Sequence, residues 1–158
     1  CLSSQIETPI FLDPKSKNFN IYNGVSLIKP NEKEAIESCS FELQGISIND
    51  DNLLIKVALD IKKSTNAKFV LLTLSSQGSA LIDTKSLKIF KAHSTKVDVF
   101  DVTGAGDTFL SVFSYFHMNG HDLSECLTLA NKASSISVSK RGNYIVTKDD
   151  ILFIQNGN

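Results

Sequence analysis

Blocks of apolar and polar residues predict strands and helices along the chain. Residues 68–74 are apolar and rich in strand-favouring residues, which predicts a buried central strand. Shorter apolar runs at residues 9–13 and 25–28 predict two further strands. Residues 78–83 and 87–91 flank a polar turn and predict a β-hairpin.

Helical spacing of apolar residues separates these strands. Residues 105–118 carry the clearest apolar stripe, formed by Phe109, Val112, Phe113 and Phe116. The other segments are predicted as helices at 32–38, 51–64, 123–139 and 148–153, a short strand at 144–146, a loop at 14–24 and irregular chain at 39–50. Strands that alternate with helices indicate an α/β layered fold with a mostly parallel sheet, and such sheets bind ligands at the carboxyl ends of their strands.

Composition narrows the function classes. The chain has 158 residues, a net charge of −1 and 42% hydrophobic residues, which is typical of one globular domain. Lys and Arg are scattered, so we expect neither a nucleic-acid surface nor a basic membrane-binding face, and no apolar run approaches the ~20 residues of a membrane span. Cys1, Cys39 and Cys126 form neither a disulfide framework nor a metal-binding spacing, which favours a reducing cytoplasm.

A glycine loop precedes the clearest helix, in the segment DVTGAGDTF at residues 101–109. Gly104 and Gly106 let the backbone approach an anion at a helix start, where the dipole favours negative charge. Asp107 then lies beside that anion as a candidate general base. The alternative is an ordinary turn with an aspartate that only favours the helix start, and spacing alone leaves both open.

Two rival nucleotide motifs fit less well. A dinucleotide fingerprint needs glycine where Phe109 stands, and a Walker loop needs Gly-Lys followed by Ser or Thr, which the chain lacks.

The same segment resembles the signature of the ribokinase-like (PfkB) carbohydrate kinases. The resemblance implies a three-layer α/β fold, ATP as phosphoryl donor and Asp107 as the base that deprotonates a sugar hydroxyl. It also implies that the amides of Gly104, Ala105 and Gly106 form the anion hole, with Thr103 at the cofactor site.

Companion motifs follow in the family's order. Asn31 and Glu34 stand at the N-x-x-E spacing that the family uses around Mg²⁺ and phosphate, although this spacing is also a helix capping box. Thr73, Ser75 and Gly78 are similar to the family's ATP-lining turn, although a plain turn explains them too. The residue matching Asn131 lies near the adenine or the catalytic loop in the family, whereas most of its small-residue patch fits helix packing.

The segment DPKS at residues 13–16 resembles the Asp-Pro-Lys-Gly of heptose 7-phosphate kinases, with Ser16 in place of Gly and Lys29 where Thr is common. Lys15 is accordingly a candidate phosphate contact, with an exposed loop lysine as the alternative.

The resemblance covers only the C-terminal half of such an enzyme. We expect residues 1–158 to form one nucleotide-binding and catalytic portion without the N-terminal half and the lid. The expected reaction is ATP-dependent phosphorylation of a sugar or sugar phosphate, for example heptose 7-phosphate at C1. Ribose or fructose as acceptor, a non-catalytic nucleotide-binding half, a dinucleotide-binding domain and a homodimer of the full-length enzyme stay open.

Overall fold

The computed structural model describes residues 8–40, 48 and 50–156. The chain divides into two compact units. The first comprises Cys1–Ser75 and Ser79–Phe90, and the second comprises Ser76–Gly78 and Lys91–Asn158.

A mixed five-stranded sheet is built mainly in the first unit. Its strands, in both spatial and chain order, are β1 Phe11–Leu12, β2 Leu27–Ile28, β3 Phe69–Thr73, β4 Ser79–Asp83 and β5 Ile89–Ala92. β1, β2 and β3 run parallel, and β4 pairs antiparallel with β3. The register places Leu12 beside Ile28 and Ile28 beside Val70. The carboxyl ends of β1, β2 and β3 therefore lie at the same edge of the sheet.

Two helices complete the first unit, α1 Glu32–Ser38 and α2 Asp51–Thr65. The apolar side of α2 packs with the sheet residues in one buried cluster that includes Leu54, Val57, Ile28, Val70 and Leu72. β3 and β4 are buried at four of five positions each, so the best apolar run of the sequence does form the centre of the core.

The second unit is built from α3 Ala105–Met118, α4 Leu123–Val138 and α5 Lys148–Gln155. The predicted stripe of α3 is buried, as expected, and Phe113 and Phe116 are 0% and 1% exposed. α3 and α4 pack against each other along their length, with Leu127, Ala130 and Ala133 buried on α4. No helix of the described ranges is both long and apolar enough to cross a lipid bilayer.

Several predictions made from the sequence differ from the structure. Residues 144–146 do not form the predicted strand: Tyr144 is instead tied to Asp150 through its hydroxyl at 2.9 Å and to Ser137 through its carbonyl at 3.4 Å. The predicted loop contains a 3-10 helix, Phe19–Tyr22, and the first two strands are shorter than predicted. Cys1 and most of the predicted irregular segment at 39–50 lie outside the described residues.

Truncation of Phe113 to alanine should lower the free energy of unfolding by about 3–5 kcal/mol, because it opens a cavity at a fully buried position of α3. Phe153→Ala is the matched control, since Phe153 is 53% exposed and should cost less than about 0.5 kcal/mol. Urea unfolding of both variants measures the difference, and equal losses would contradict the assigned core.

Candidate active site

The glycine loop turns sharply into α3. Gly104 is the N-cap residue, with φ 77° and ψ −1° in the left-handed region that favours glycine. The Ala105 N–H donates to the Val102 carbonyl at 3.2 Å, and the Thr103 N–H donates to Asp101 Oδ1 at 2.9 Å. The Thr103 N–H lowers the pKa of Asp101 below its usual value, so this carboxylate stays ionised as part of the turn.

The start of α3 differs from the other helix starts. Side chains of Asn31, Asp50, Asp122 and Thr147 accept first-turn N–H groups of α1, α2, α4 and α5. Gly104 offers α3 no such side chain. Among the described residues, the N–H groups of Gly106 and Asp107 have no acceptor, and they remain available to an anion. Of the three amides predicted for the anion hole, that of Ala105 donates within the turn, and the roles of the Gly104 and Gly106 amides stay predictions.

Asp107 lies in this open first turn and is exposed to solvent. It borders a cleft of about 590 Å³ within the second unit. The cleft is lined by one side of α3, including Gly104, Asp107 and Tyr115, and by residues between Asn143 and Ile151. A carboxylate in this position can accept a proton from a hydroxyl group that enters the cleft.

Asn143 fixes the approach to Gly104. The positive φ favours glycine at position 104, and a side chain built there would also displace the Asn143 side-chain amide. The segment that carries Asn143 is itself held by Asp150, whose Oδ2 accepts from the Tyr144 hydroxyl at 2.9 Å and the Thr147 hydroxyl at 2.7 Å. The hydrogen bond to Asp150 raises the pKa of Tyr144, so its hydroxyl stays a proton donor to Asp150.

A charged cluster occupies the carboxyl ends of β1 and β2 in the first unit. Asp13 follows β1 and binds the Lys15 and Lys29 ammonium groups, both at 3.1 Å. The Lys29 side chain is only 4% exposed, whereas that of Lys15 is 75% exposed. Because a buried ammonium needs a partner, the Lys29–Asp13 pair ties the two strand ends together.

The Lys15 loop is organised around one hydroxyl. The backbone N–H groups of Lys15 and Ser16 donate to the Tyr22 hydroxyl at 3.0 and 2.9 Å. Lys15 is thus an exposed cation on a held loop, which is compatible with the predicted phosphate contact and with its alternative.

Asn31 and Glu34 form the capping box that their spacing predicted. The Glu34 N–H donates to Asn31 Oδ1 at 2.9 Å, and the Asn31 N–H donates to Glu34 Oε2 at 2.8 Å. Asn31 also bridges Thr73 at the end of β3, and the Thr73 N–H donates to the Pro30 carbonyl at 3.2 Å. The fold therefore brings Asn31 and Thr73 together at the edge where β2 and β3 end.

Asn31 and Glu34 place side-chain oxygen atoms at this edge that could serve as Mg²⁺ ligands. Within the described residues no group of three His, Cys, Asp or Glu side chains could hold a metal ion. The second carboxylate oxygen of Glu34, Oε1, takes no part in the capping box. Mg²⁺ keeps several waters and is commonly held by one or two carboxylates together with substrate phosphates, so Asn31 and Glu34 fit an ion that arrives with a nucleotide.

The turn after β3 has unusual backbone geometry. Ser75 adopts φ 49° and Gly78 φ 95°. A side chain on Gly78 would lie 2.7 Å from the Ser94 nitrogen and 2.8 Å from the His93 carbonyl carbon, so close backbone packing alone requires this glycine. The predicted ATP contacts of Ser75 and Gly78 stay predictions.

Asn131 is a buried residue of α4. It is 8% exposed, and its amide donates to the Leu127 carbonyl one turn earlier at 2.9 Å. This geometry matches the helix-packing alternative, and the predicted nucleotide contact of Asn131 stays a prediction. Thr103 is exposed beside the glycine loop, and its predicted nucleotide contact also stays a prediction.

Sequence reasoning missed the positions of two side chains. The only sequence signal for the burial of Lys29 against Asp13 was that Lys29 stands where heptose 7-phosphate kinases commonly have threonine. Nothing in the sequence linked Asn143 to Gly104, because that proximity depends on how the chain returns from α4 to the start of α3.

The chain is similar in sequence to a family of known enzymes. The model of the pfkB family of carbohydrate kinases matches residues 2–150. The chain belongs to the PfkB family. Bifunctional protein HldE of Campylobacter jejuni subsp. doylei is 37% identical over 146 residues, covering 92% of this chain and 30% of the relative. HldE of Wolinella succinogenes is 34% identical over 150 residues, covering 95% of this chain and 30% of that protein. The PfkB chain thus spans about 30% of the length of these relatives.

Solved structures confirm the predicted fold class. Ribokinase of Thermotoga maritima matches 98% of this chain and 51% of its own, with a TM-score of 0.79 and 21% identity. Arabidopsis thaliana ribokinase, solved with ribose and ATP, matches 96% of this chain and 49% of its own, with a TM-score of 0.82 and 24% identity. This PfkB member therefore has a ribokinase-like α/β fold, with a mixed and mostly parallel sheet flanked by helices.

Replacement of Gly104 by alanine should destabilise the chain more than replacement of Gly142. Both glycines have positive φ, 77° and 75°, so each alanine should cost about 1 kcal/mol of backbone strain. Gly104 faces a further obstacle, the Asn143 amide, whereas a Cβ on Gly142 would meet no atom of the described residues within 4 Å beyond its chain neighbours. Urea unfolding measures both variants.

Adding Asn143→Ala to each glycine variant tests whether the Asn143 amide causes the extra cost. It should remove the excess cost of Gly104→Ala and leave the cost of Gly142→Ala unchanged. Equal costs for the two glycines, or no rescue, would contradict the assigned packing.

Proposed function

We propose that this chain supplies the phosphoryl-transfer part of an ATP-dependent sugar kinase, with Asp107 as the general base. The observation that carries the proposal is the pairing of an exposed carboxylate with unfilled N–H groups in the same helix turn.

The first turn of α3 supports two steps of this reaction. The N–H groups of Gly106 and Asp107, with about half a positive charge from the helix dipole, stabilise negative charge on the transferred phosphoryl group. The Asp107 carboxylate accepts the proton of the attacking hydroxyl, and a base of this kind contributes about 10²–10⁴ in rate. Because phosphoryl transfer depends mainly on positioning and charge stabilisation, these two groups supply part of what the chemistry needs.

The edge of the first unit supports nucleotide binding. We propose that Lys15, Thr73 and Ser75 contact phosphate oxygens, and that Asn31 and Glu34 hold Mg²⁺ through water. When bound, Mg²⁺ neutralises phosphate charge. The Lys29–Asp13 pair keeps the ends of β1 and β2 at fixed positions, so Lys15 starts from a held loop.

Heptose 7-phosphate, phosphorylated at C1, is the acceptor that we propose. Support comes from the DPK segment at residues 13–15 and from HldE relatives at 34–37% identity. The ribokinases share only the fold at 21–24% identity, which gives ribose less support. We place the reaction in the cytoplasm, where ATP is abundant, and a homodimer of the full-length enzyme stays a hypothesis.

Replacement of Asp107 by asparagine should abolish transfer and spare nucleotide binding. In a polypeptide that combines this chain with the rest of the PfkB fold, we expect kcat to fall about 10²–10⁴-fold because the base is lost. ADP release with heptose 7-phosphate measures kcat, and calorimetric titration measures the Kd for ATP, which should stay the same.

Asp149→Asn is the matched control, since Asp149 is also an exposed first-turn aspartate, on α5. It should leave kcat unchanged. Near-normal turnover of Asp107→Asn would remove Asp107 as the base, and ATP binding without turnover of the unaltered protein would favour a non-catalytic nucleotide-binding role.

A further inference from the structure

Two lysines of the first unit share one carboxylate. Asp13 Oδ1 lies 3.1 Å from the Lys29 ammonium, and Asp13 Oδ2 lies 3.1 Å from the Lys15 ammonium. Asp13 directly follows β1 and Lys29 directly follows β2, so the cluster stands where these strands end. With two ammonium groups and one carboxylate, it carries a net positive charge.

The two lysines differ in their access to solvent. The Lys29 side chain is 4% exposed and that of Asp13 is 15% exposed, whereas that of Lys15 is 75% exposed. A buried ammonium that left its carboxylate would lose its partner without gaining water, so Lys29 stays with Asp13. The exposed Lys15 ammonium is hydrated whether or not it contacts Asp13, so it can leave the carboxylate at little cost.

The backbone beneath Lys15 is held while its side chain can move. The N–H groups of Lys15 and Ser16 donate to the Tyr22 hydroxyl at 3.0 and 2.9 Å. Transfer of the Lys15 ammonium from Asp13 to an oxygen of a ligand therefore needs side-chain rotation and no rearrangement of the loop.

We propose that Lys29 is a positioning residue, which keeps Asp13 neutralised and so frees Lys15 to bind a phosphate group. The inference rests on the phosphate contact proposed above for Lys15. Without the Lys29 charge, Lys15 could bind phosphate only by leaving the mostly buried Asp13 carboxylate unpaired. Lys29 thus acts on the ligand through Asp13. The phosphate belongs to ATP or to a sugar phosphate, two sources that separate titrations distinguish.

Replacement of Lys29 by methionine tests the proposal, because methionine keeps the buried stem and removes the charge. In the polypeptide that combines this chain with the rest of the PfkB fold, calorimetric titration measures the Kd for ATP and for heptose 7-phosphate. Lys29→Met should raise the Kd for one of them about three- to tenfold, and Lys15→Met should raise the same Kd at least as much. The affected ligand is the one whose phosphate Lys15 binds. The Kd for adenosine, which has no phosphate, should stay the same.

A second substitution separates positioning from a structural role. Adding Asp13→Asn to Lys29→Met should restore the Kd of the unaltered protein, since Lys15 then has no carboxylate to leave. If Lys29 served only to tie the strand ends together, binding would not recover, because the tie is absent from both variants.

Lys17→Met is the matched control for general charge attraction. Lys17 is a nearby lysine of the same loop, with a side chain that is 79% exposed and paired to Glu37 at 3.0 Å. Its replacement removes the same charge as Lys29→Met and should leave every Kd unchanged.

A measurement on the unaltered protein does not depend on how the variants fold. With lysine labelled with ¹³C at Cε, the Lys15 resonance should shift and saturate as the ligand is added, and it should shift several times further than that of Lys29. A larger shift at Lys29 would mean that Lys29 itself meets the ligand and would overturn the proposal.

Three titration results would also overturn it: an effect of Lys15→Met without one of Lys29→Met, no recovery with Asp13→Asn, or an equal loss in Lys17→Met. Each of these leaves the proposed function standing. An unchanged Kd for both ligands in Lys15→Met would instead remove the Lys15 contact from the proposed function, and this inference with it.

Discussion

The candidate site depends on the first turn of α3, where no side chain caps the backbone N–H groups. Gly104 adopts a left-handed conformation that ends the loop and begins the helix, and in the described part of the chain the Gly106 and Asp107 N–H groups have no acceptor. Glycine at the N-cap costs stability, roughly a few tenths of a kcal/mol relative to Ser, Thr, Asp or Asn. α3 tolerates that cost because Phe113 and Phe116 are buried further along the helix and α3 packs against α4. Packing at one side of the helix therefore permits an open anion site at its end.

Around this turn, other contacts restrict the loop. Asp101 accepts the Thr103 N–H, Ser134 on α4 donates to the Ala105 carbonyl at 3.2 Å, and Asn143 lies against Gly104. The Asp150 network holds the segment behind Asn143. The loop is thus fixed before any ligand arrives, which is the condition under which fixed dipoles stabilise developing charge most effectively.

Local patterns explain why much of the fold was predictable from the sequence. The stripe of α3, the apolar run of β3 and the Asn31–Glu34 capping box each depend on neighbouring residues, so their periodicity predicts them directly. The strand predicted at residues 144–146 was wrong: these residues pair with no strand of the described chain, and the Tyr144 hydroxyl donates to Asp150 instead. The Lys29–Asp13 pair joins residues 16 positions apart, and the proximity of Asn143 to Gly104 depends on tertiary packing, so no local pattern reports them.

Nuclear magnetic resonance of the ¹⁵N-labelled chain tests the central claim most directly. As ATP is titrated, the amide resonances of Gly106 and Asp107 should shift and saturate together, because their N–H groups bind phosphate. The amides of Ser124 and Glu125 are the internal reference, since Asp122 already accepts both at 2.9 and 3.0 Å. Saturable shifts of Gly106 and Asp107, with the start of α4 unchanged, would support the account. Unchanged Gly106 and Asp107 resonances, or equal shifts at the start of α4, would contradict it.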